Sequence, residues 1–131
     1  MAPGSFPNGW NGSKRVHFSH SLGVILFREA GFTFKMEYIF PDLRSPNGRP
    51  LRFDLVVFDD DGNIDFLIEY QGIQHYQPKS KFGGMAGLRT QQYYDMLKRE
   101  YCKKHNIPLV LIPYYDEGRI NYDYIFKAAG Y

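Results

Sequence analysis

The chain has 131 residues, a formal net charge of +2, 44% hydrophobic residues and 23% charged residues. These values fit one globular domain and exclude a disordered tail, a coiled coil and a collagen-like repeat. No apolar run approaches the ~20 residues of a membrane span, and the single cysteine, Cys102, excludes an internal disulfide and a multi-cysteine zinc site. We therefore expect an intracellular protein without a membrane partner.

Turn residues and apolar periodicity predict the order αβββαβα. Residues 1–13, rich in Gly and Pro, are predicted to be a flexible leader to one domain over residues 14–131. The predicted elements are a helix from Ser19 or Ser21 to Ala30, a strand from Phe32 to Phe40 ended by Pro41, a turn over 42–50, a strand over Leu51–Phe58, a turn over 60–63, a strand over Ile64–Tyr70, a loop over 71–87, a helix over Leu88–His105 with Asn106 as its cap, a strand over Ile107–Ile112 and a helix over Tyr122–Ala129.

The helix between the third and fourth predicted strands implies a crossover connection. Strands joined in this way are usually parallel, whereas the second and third strands, joined by a tight turn, form an antiparallel hairpin. The predicted fold class is therefore α/β, a single domain with a mixed sheet of about four strands flanked by helices.

Charge is segregated along the chain. Residues 53–70 carry six acids and no Lys or Arg, residues 79–104 carry seven bases against two acids, and residues 14–52 carry seven bases against three acids. An acidic centre with basic flanks suits a metal-dependent enzyme that acts on a polyanion. A surface with unevenly scattered charges gives the same counts.

Two carboxylates interrupt apolar strands. Asp54 lies mid-strand, and strict alternation places it with Val56 on the face opposite Phe53; Glu69 ends an apolar stretch of the next strand. A buried carboxylate is costly unless it is paired or bound to a cation, and Mg²⁺ often takes one or two carboxylates together with waters and phosphate oxygens. The pair therefore predicts a divalent-metal site or, for Asp54, an ion pair with an arginine such as Arg52.

The segment after Glu69 adds a candidate general base. Gly72 allows a sharp exit from the sheet, so that Gln74 and His75 would lie close to the carboxylates. A neutral histidine near a bound metal can take a proton from an attacking water, although a histidine in a loop is often an ordinary surface residue.

One stripe of the long predicted helix adds a further acid and a base. Gln91, Asp95, Lys98 and Cys102 are spaced four, three and four residues apart, which places them on one face. Asp95 could orient His75 and fix its tautomer, and Lys98 could contact a phosphate or stabilise developing negative charge. The same spacing also fits an ordinary surface ion pair.

Taken together, four segments resemble the PD-(D/E)XK nuclease superfamily: Arg52–Asp54, Ile68–Tyr76, Gln91–Lys98 and Leu109–Tyr114. Within it, the chain looks most like the branch that holds the very short patch repair endonucleases and the phage homing endonucleases named for an EDxHD motif. The resemblance covers about residues 17–115. It implies a restriction-endonuclease-like fold, Asp54 as a metal ligand, His75 as general base and Asp95 as its orienting or second catalytic acid.

Three departures from the superfamily pattern bear on the site. The second strand reads Glu69-Tyr70-Gln71 where the superfamily has acid-x-Lys, so the histidine of this branch is expected to replace the lysine. The acid usual in the first helix corresponds to His20, which either substitutes for it or marks a lost function. The literal Pro41-Asp42 pair ends a strand and is expected to be a decoy.

The resemblance implies a Mg²⁺-dependent endonuclease, with Mn²⁺ as a substitute, that hydrolyses DNA phosphodiesters. The metal ligands would be Asp54, a carbonyl near Tyr70 and Glu69. The candidate catalytic residues are His75, Asp95, Glu69, Gln74, Lys98 and His20. The candidate DNA contacts are Lys79, Lys81, Arg89 and Lys98. The alternative is a degenerate nuclease fold that binds DNA without cutting it, and RNA stays an open substrate. A homodimer, a fused DNA-reading module and a phage origin are further expectations.

Overall fold

The computed structural model describes residues 32–131. Its strands are β1 (Thr33–Arg44), β2 (Pro50–Phe58), β3 (Ile64–Gln71) and β4 (Leu109–Pro113). Its helices are the long helix (Gly84–Lys104) and the C-terminal helix (Tyr122–Ala128). Short 3-10 turns cover Ile73–His75, Ser80–Phe82 and Tyr114–Arg119. The predicted leader, the predicted first helix and His20 lie outside the described residues. No helix in this described part is long and apolar enough to cross a membrane.

The strands form one mixed sheet in the order β1-β2-β3-β4. β1 and β2 are antiparallel, as are β2 and β3, whereas β3 and β4 are parallel and are connected through the long helix. The sequence-based prediction of a single α/β domain with a mixed four-stranded sheet and a crossover is confirmed.

Within residues 32–131, one helix packs against each face of the sheet. Against the C-terminal helix lies a core that contains Leu55, Val57, Phe66, Ile68, Val110, Ile112, Ile125 and Phe126. Against the long helix lies a second core that contains Leu51, Phe53, Val56, Leu67 and Cys102, with Tyr94, Leu97 and Tyr101 partly buried on it. Because both faces are covered, β2 and β3 consist mainly of apolar residues, and a charged residue in either strand needs a specific partner.

The pairing of β2 with its neighbours is interrupted at Asp54. Pairing with β3 runs from Leu55 to Phe58, pairing with β1 skips Asp54, and the β1 residue opposite it, Glu37, has a positive φ of 49°. Phe53 and Val56 pack in the same core, which requires a break in the alternation between them. The prediction that Val56 lies on the face opposite Phe53 is therefore wrong, because a local irregularity replaces the regular pleat.

Several predicted boundaries also move. β1 continues past Pro41 to Arg44, with a register shift between Ile39 and Arg44; a proline is tolerated there because β1 is an edge strand. The long helix begins at Gly84 rather than Leu88, which shortens the predicted loop, and β4 begins at Leu109 rather than Ile107.

The predicted hairpin turn is confirmed, whereas the predicted cap of the long helix moves by one residue. In the hairpin between β2 and β3, Asp59 Oδ1 accepts the N–H groups of Asp61 and Asn63 at 3.0 Å and 2.9 Å, and Gly62 has φ 80°. After the long helix, the cap is His105 rather than the predicted Asn106, and Asn106 follows it in a left-handed conformation with φ 56°, which is typical of the residue after a helix cap.

Gly87 allows the start of the long helix to approach the preceding turn. A Cβ at Gly87 would lie 1.7 Å from the carbonyl oxygen of Phe82 and 2.8 Å from its carbonyl carbon. Although Ala is the better helix former, we expect Gly87→Ala to lower the free energy of unfolding by about 1–3 kcal/mol through overpacking. Urea denaturation measures this effect. Gly118→Ala is the control, because its Cβ would meet no atom within 4 Å, and equal effects of the two substitutions would contradict the prediction.

Candidate active site

Where β2 and β3 separate, two carboxylates bind the backbone donors that the sheet no longer pairs. Glu69 Oε1 accepts the N–H of Asp54 at 2.9 Å, and Asp54 Oδ2 accepts the N–H of Tyr70 at 2.7 Å. Each carboxylate thus satisfies a backbone donor on the opposite strand. We call Asp54 and Glu69 the carboxylate pair. The convergence of these two acids, predicted from sequence, is present in the structure.

The other oxygen of Glu69 binds the long helix. Lys98 Nζ donates to Glu69 Oε2 at 3.0 Å, and the two residues are only 9% and 4% exposed. Lys98 Nζ also lies 5.5 Å from the ring centroid of Phe53, within the range of a cation–π contact. Lys98 is therefore held beside the carboxylate pair, and its contact with a phosphate stays a prediction.

Burial raises the pKa of Glu69 from 4.5 to about 7. The Lys98 ammonium group opposes this increase, and the neighbouring Asp54 carboxylate adds to it. Because the pKa is higher in the folded state than in the unfolded state, folding favours the protonated carboxyl group. The contribution of this group to stability is therefore complete below about pH 4.5 and is lost as the pH rises through about 7.

This direction gives a pH-dependent prediction for Glu69→Gln, which resembles the protonated side chain. The difference between the two pKa values corresponds to about 3 kcal/mol at most. We expect the free energy of unfolding of the variant, relative to that of wild type, to rise by up to this amount between about pH 5 and pH 8. Urea denaturation of both proteins at the two pH values measures it, and a pH-independent difference would contradict the assignment.

A second pair connects the turn after β3 to the long helix. His75 Nδ1 lies 2.9 Å from Asp95 Oδ2, with both side chains less than a tenth exposed, and Gln91 Nε2 donates to Asp95 Oδ1 at 3.2 Å. When Nδ1 carries the proton and donates it to the carboxylate, Nε2 is the acceptor. The predicted contact between Asp95 and His75 is therefore present, in a geometry that suits proton transfer at Nε2.

The long helix brings the two pairs together. Its buried residues are Asp95, Lys98 and Cys102, which confirms the predicted stripe. Residues three apart on a helix have Cβ atoms about 5–6 Å from each other, so that the His75–Asp95 pair and the Glu69–Lys98 pair are neighbours. The helix stripe thus brings the His75–Asp95 pair next to the carboxylate pair.

An open cavity of about 380 Å³ lies beside His75. Its lining residues are Gln71, His75, Tyr76, Gln92, Asp95 and Arg99. Arg99 is exposed and forms no ion pair with another described residue, so a cationic group is available to an anionic ligand. Sequence reasoning missed Arg99, although its position four residues after Asp95 places the two on one side of the helix.

The other predicted site residues do not line this cavity. Gln74 precedes His75, and its amide group approaches Gly72. Lys79 is half-buried and Lys81 is exposed, both before the long helix. Arg89 lines a different cavity of about 350 Å³ with Tyr93 and Tyr94, on the opposite flank of the helix. The structure does not bring these basic residues to the His75 cavity, and their contacts with DNA stay predictions.

Asp54 is the member of the carboxylate pair that has an oxygen left for a cation. Within residues 32–131, no three His, Cys, Asp or Glu side chains form a metal-binding group. Asp54 Oδ1 accepts no hydrogen bond from a described residue, whereas Glu69 uses both of its oxygens. A carbonyl near Tyr70 is the third predicted ligand. In the structure, Tyr70 donates its N–H to Asp54 and pairs with Ile112 of β4. Of the two predicted carboxylate ligands, Asp54 therefore offers an oxygen to a cation, and Mg²⁺ commonly takes its remaining oxygens from water and phosphate; the metal site itself stays a prediction.

The chain is similar to two viral proteins. It is 35% identical over 104 residues to uncharacterized protein 307L of Invertebrate iridescent virus 6, which corresponds to 76% of this chain and 53% of that protein. It is 49% identical over 54 residues to uncharacterized protein 094L of Frog virus 3 (isolate Goorha), or 40% of this chain and 35% of that protein. The chain thus spans about half the length of the first relative. No family model and no solved structure matches it.

Proposed function

We propose that the chain is a nuclease domain that hydrolyses DNA phosphodiester bonds with the help of Mg²⁺ or Mn²⁺. The observation that carries this proposal is the buried contact between His75 and Asp95 at the wall of a cavity that also contains Arg99. The carboxylate pair next to it supplies an oxygen ligand for a cation. A proton acceptor, a cation site and a free guanidinium group are the parts that phosphodiester hydrolysis needs.

Each group has a distinct role in the proposed reaction. Asp54 would hold the cation through Oδ1, and a bound Mg²⁺ polarises the phosphate and lowers the pKa of a water molecule. His75 Nε2 accepts a proton from the attacking water, while Asp95 holds the ring and stabilises the imidazolium that forms. Arg99 offsets the negative charge that develops on the phosphate oxygens.

The position of Lys98 supports the proposed nuclease function, because it restores a feature of the PD-(D/E)XK superfamily that the sequence of β3 lacks. β3 carries Gln71 where the superfamily pattern has a lysine, but Lys98 of the long helix reaches the acid of the same strand, Glu69, at 3.0 Å. An acid–lysine pair is therefore present, with the lysine supplied by a different element. The antiparallel β1-β2-β3 arrangement followed by a helical crossover to a parallel β4 is also compatible with that superfamily.

The test is cleavage of supercoiled, single-stranded and branched DNA in Mg²⁺, in Mn²⁺ and in a chelator. Asp54→Asn keeps an oxygen that can accept the N–H of Tyr70, but it removes the negative charge, so we expect the variant to fold and to lose metal-dependent cleavage. Asp61→Asn, an exposed acid in the hairpin turn, is the control and should cut as wild type does. Cleavage by Asp54→Asn at the wild-type rate would reject the proposal. Parallel reactions with RNA determine which nucleic acid is cut.

One observation favours a second function, a nuclease fold that binds DNA without cutting it. Both oxygens of Glu69 are occupied by described residues, which leaves one carboxylate oxygen of the pair for a cation. This alternative predicts DNA binding that weakens with salt, does not depend on metal, and is accompanied by no cleavage. Metal-stimulated turnover would exclude it. Assembly as a homodimer or fusion to a DNA-reading module is compatible with either function.

A further inference from the structure

Three tyrosines form a cluster at one edge of the sheet. Tyr76 follows the end of β3, and Tyr114 and Tyr115 follow the end of β4. The ring centroids are 5.7 Å apart for Tyr76 and Tyr114, 5.9 Å for Tyr76 and Tyr115, and 5.5 Å for Tyr114 and Tyr115. Because β3 and β4 are parallel, their carboxyl ends lie at the same edge, which is the edge where α/β sheets commonly bind ligands. We call these three residues the tyrosine cluster.

Two rings of the tyrosine cluster face solvent, and the third, Tyr114, is half-buried. Tyr115 is 65% exposed and Tyr76 is 39% exposed, and both stand outside the two cores of the described residues. Aromatic rings usually contribute to stability by burying their large apolar area, and a group of exposed rings therefore indicates a binding surface.

The cluster is continuous with the cavity at His75. Tyr76 belongs to both, and its hydroxyl donates to Gln71 Oε1 at 2.6 Å, which fixes the ring at the cavity wall. Two acids with described side chains lie near the cluster and have partners: Asp95 binds His75, and Asp116 accepts the hydroxyl of Tyr124 at 2.9 Å. A ligand that covers the tyrosines would therefore reach Arg99 and His75 with its next group.

We propose that the tyrosine cluster is a stacking platform for unpaired nucleobases, and that it places the phosphate next to a stacked base in the cavity at His75. Bases stack on aromatic side chains through their π faces, whatever their sequence, and bases inside a duplex do not offer those faces. The substrate class is therefore DNA with a single-stranded segment at the cut, as in a flap, a gap or a branch. This inference rests on the proposed function for the role of the cavity.

The experiment separates stacking from charge by measuring affinity in a chelator, where the proposed cleavage does not occur. The probes are a fluorescent single strand of about 16 nucleotides, a strand of equal length made of abasic sites, and the blunt duplex. The length is at the upper end of the range that one OB fold, a common single-strand-binding fold, covers. We expect the base-bearing strand to bind about tenfold or more tightly than the abasic strand, which carries the same phosphates. Tyr115→Ala should remove about tenfold of that affinity, whereas Tyr115→Phe should keep it.

Tyr93→Ala is the control, since Tyr93 is 42% exposed but lines the cavity on the other flank of the long helix. Equal affinity for the abasic and base-bearing strands, a preference for the duplex, or equal losses in Tyr115→Ala, Tyr115→Phe and Tyr93→Ala would overturn the platform. Metal-dependent cleavage without base-dependent binding would reject the platform and keep the nuclease. Base-dependent binding that requires Tyr115, without cleavage in any metal, would keep the platform and reject the nuclease.

Discussion

Lys98→Met is expected to lower the free energy of unfolding by about 3–5 kcal/mol, because it leaves a buried carboxylate without its counter-charge. Lys98 Nζ is 3.0 Å from Glu69 Oε2, and both residues are buried. Without the ammonium group, the N–H of Asp54, on the other oxygen, is the one hydrogen-bond donor that Glu69 keeps among residues 32–131. Urea denaturation of both proteins at about pH 8, where the Glu69 carboxyl group of the wild-type protein is mostly ionised, measures the loss.

The double variant Glu69→Gln/Lys98→Met tests whether the loss comes from the unpaired charge. Replacing both members of a buried ion pair is often close to neutral, so we expect the double variant to regain most of the stability that Lys98→Met loses. Lys103→Met, an exposed lysine of the same helix, should change stability by less than about 0.5 kcal/mol. Additive losses in the double variant, or a loss at Lys98 no larger than that at Lys103, would contradict the ion pair.

The same double variant separates a structural role of this pair from a catalytic one. If it is stable and cleaves DNA at the wild-type rate, the pair serves to hold β3 against the long helix. If it is stable and inactive, the charges of Glu69 and Lys98 take part in the reaction, as the resemblance to the PD-(D/E)XK superfamily implies.

His75→Ala is expected to lower the rate of DNA cleavage by about 10²–10⁴-fold, the usual contribution of a general base. The nicking rate of supercoiled DNA at saturating Mg²⁺ measures this effect. Asp95→Asn should also lower the rate strongly, because an amide in place of the carboxylate can hold the imidazole in the wrong tautomer. In both variants the melting temperature reports whether the fold is kept.

His105→Ala provides the matched control for His75. His105 is exposed and packs on the ring of Tyr101, with ring centroids 4.2 Å apart, and it does not line the cavity. The control should cut at about the wild-type rate. If His75→Ala were as active as His105→Ala, His75 would not be the base, and the role of Asp95 as its positioning residue would be lost with it.

Much of the fold could be predicted because its signals are local. Asp, Gly and Asn in the hairpin turn favour tight turns, and the apolar periodicity of residues 88–105 predicts a helix in any context. A helix between two strands makes the parallel β3–β4 pair the expected connection. The strand boundaries moved where pairing with a neighbour decided them, as at Pro41, which an edge strand tolerates.

The carboxylate pair could be recognised before the structure, but its geometry could not. Asp54 and Glu69 stand out because charged residues are rare in buried strands. Regular alternation in the sequence of β2 conceals the interruption at Asp54, which is visible only in the pairing with β1 and β3. An irregularity of this kind depends on how two strands separate, and the residues involved are 15 positions apart in the chain.

Local patterns were therefore sufficient for the α/β class, the crossover and the acidic and histidine candidates, since periodicity, turn chemistry and misplaced charges depend on near neighbours in sequence. The tertiary structure decided that Lys98 meets Glu69 across 29 positions and that Arg99 and Tyr76 line one cavity, and it gave the predicted contact between His75 and Asp95, 20 positions apart, its geometry. These contacts depend on the packing of the long helix against the sheet and on the shared edge of two parallel strands. Packing of this kind brings together residues that no spacing rule connects.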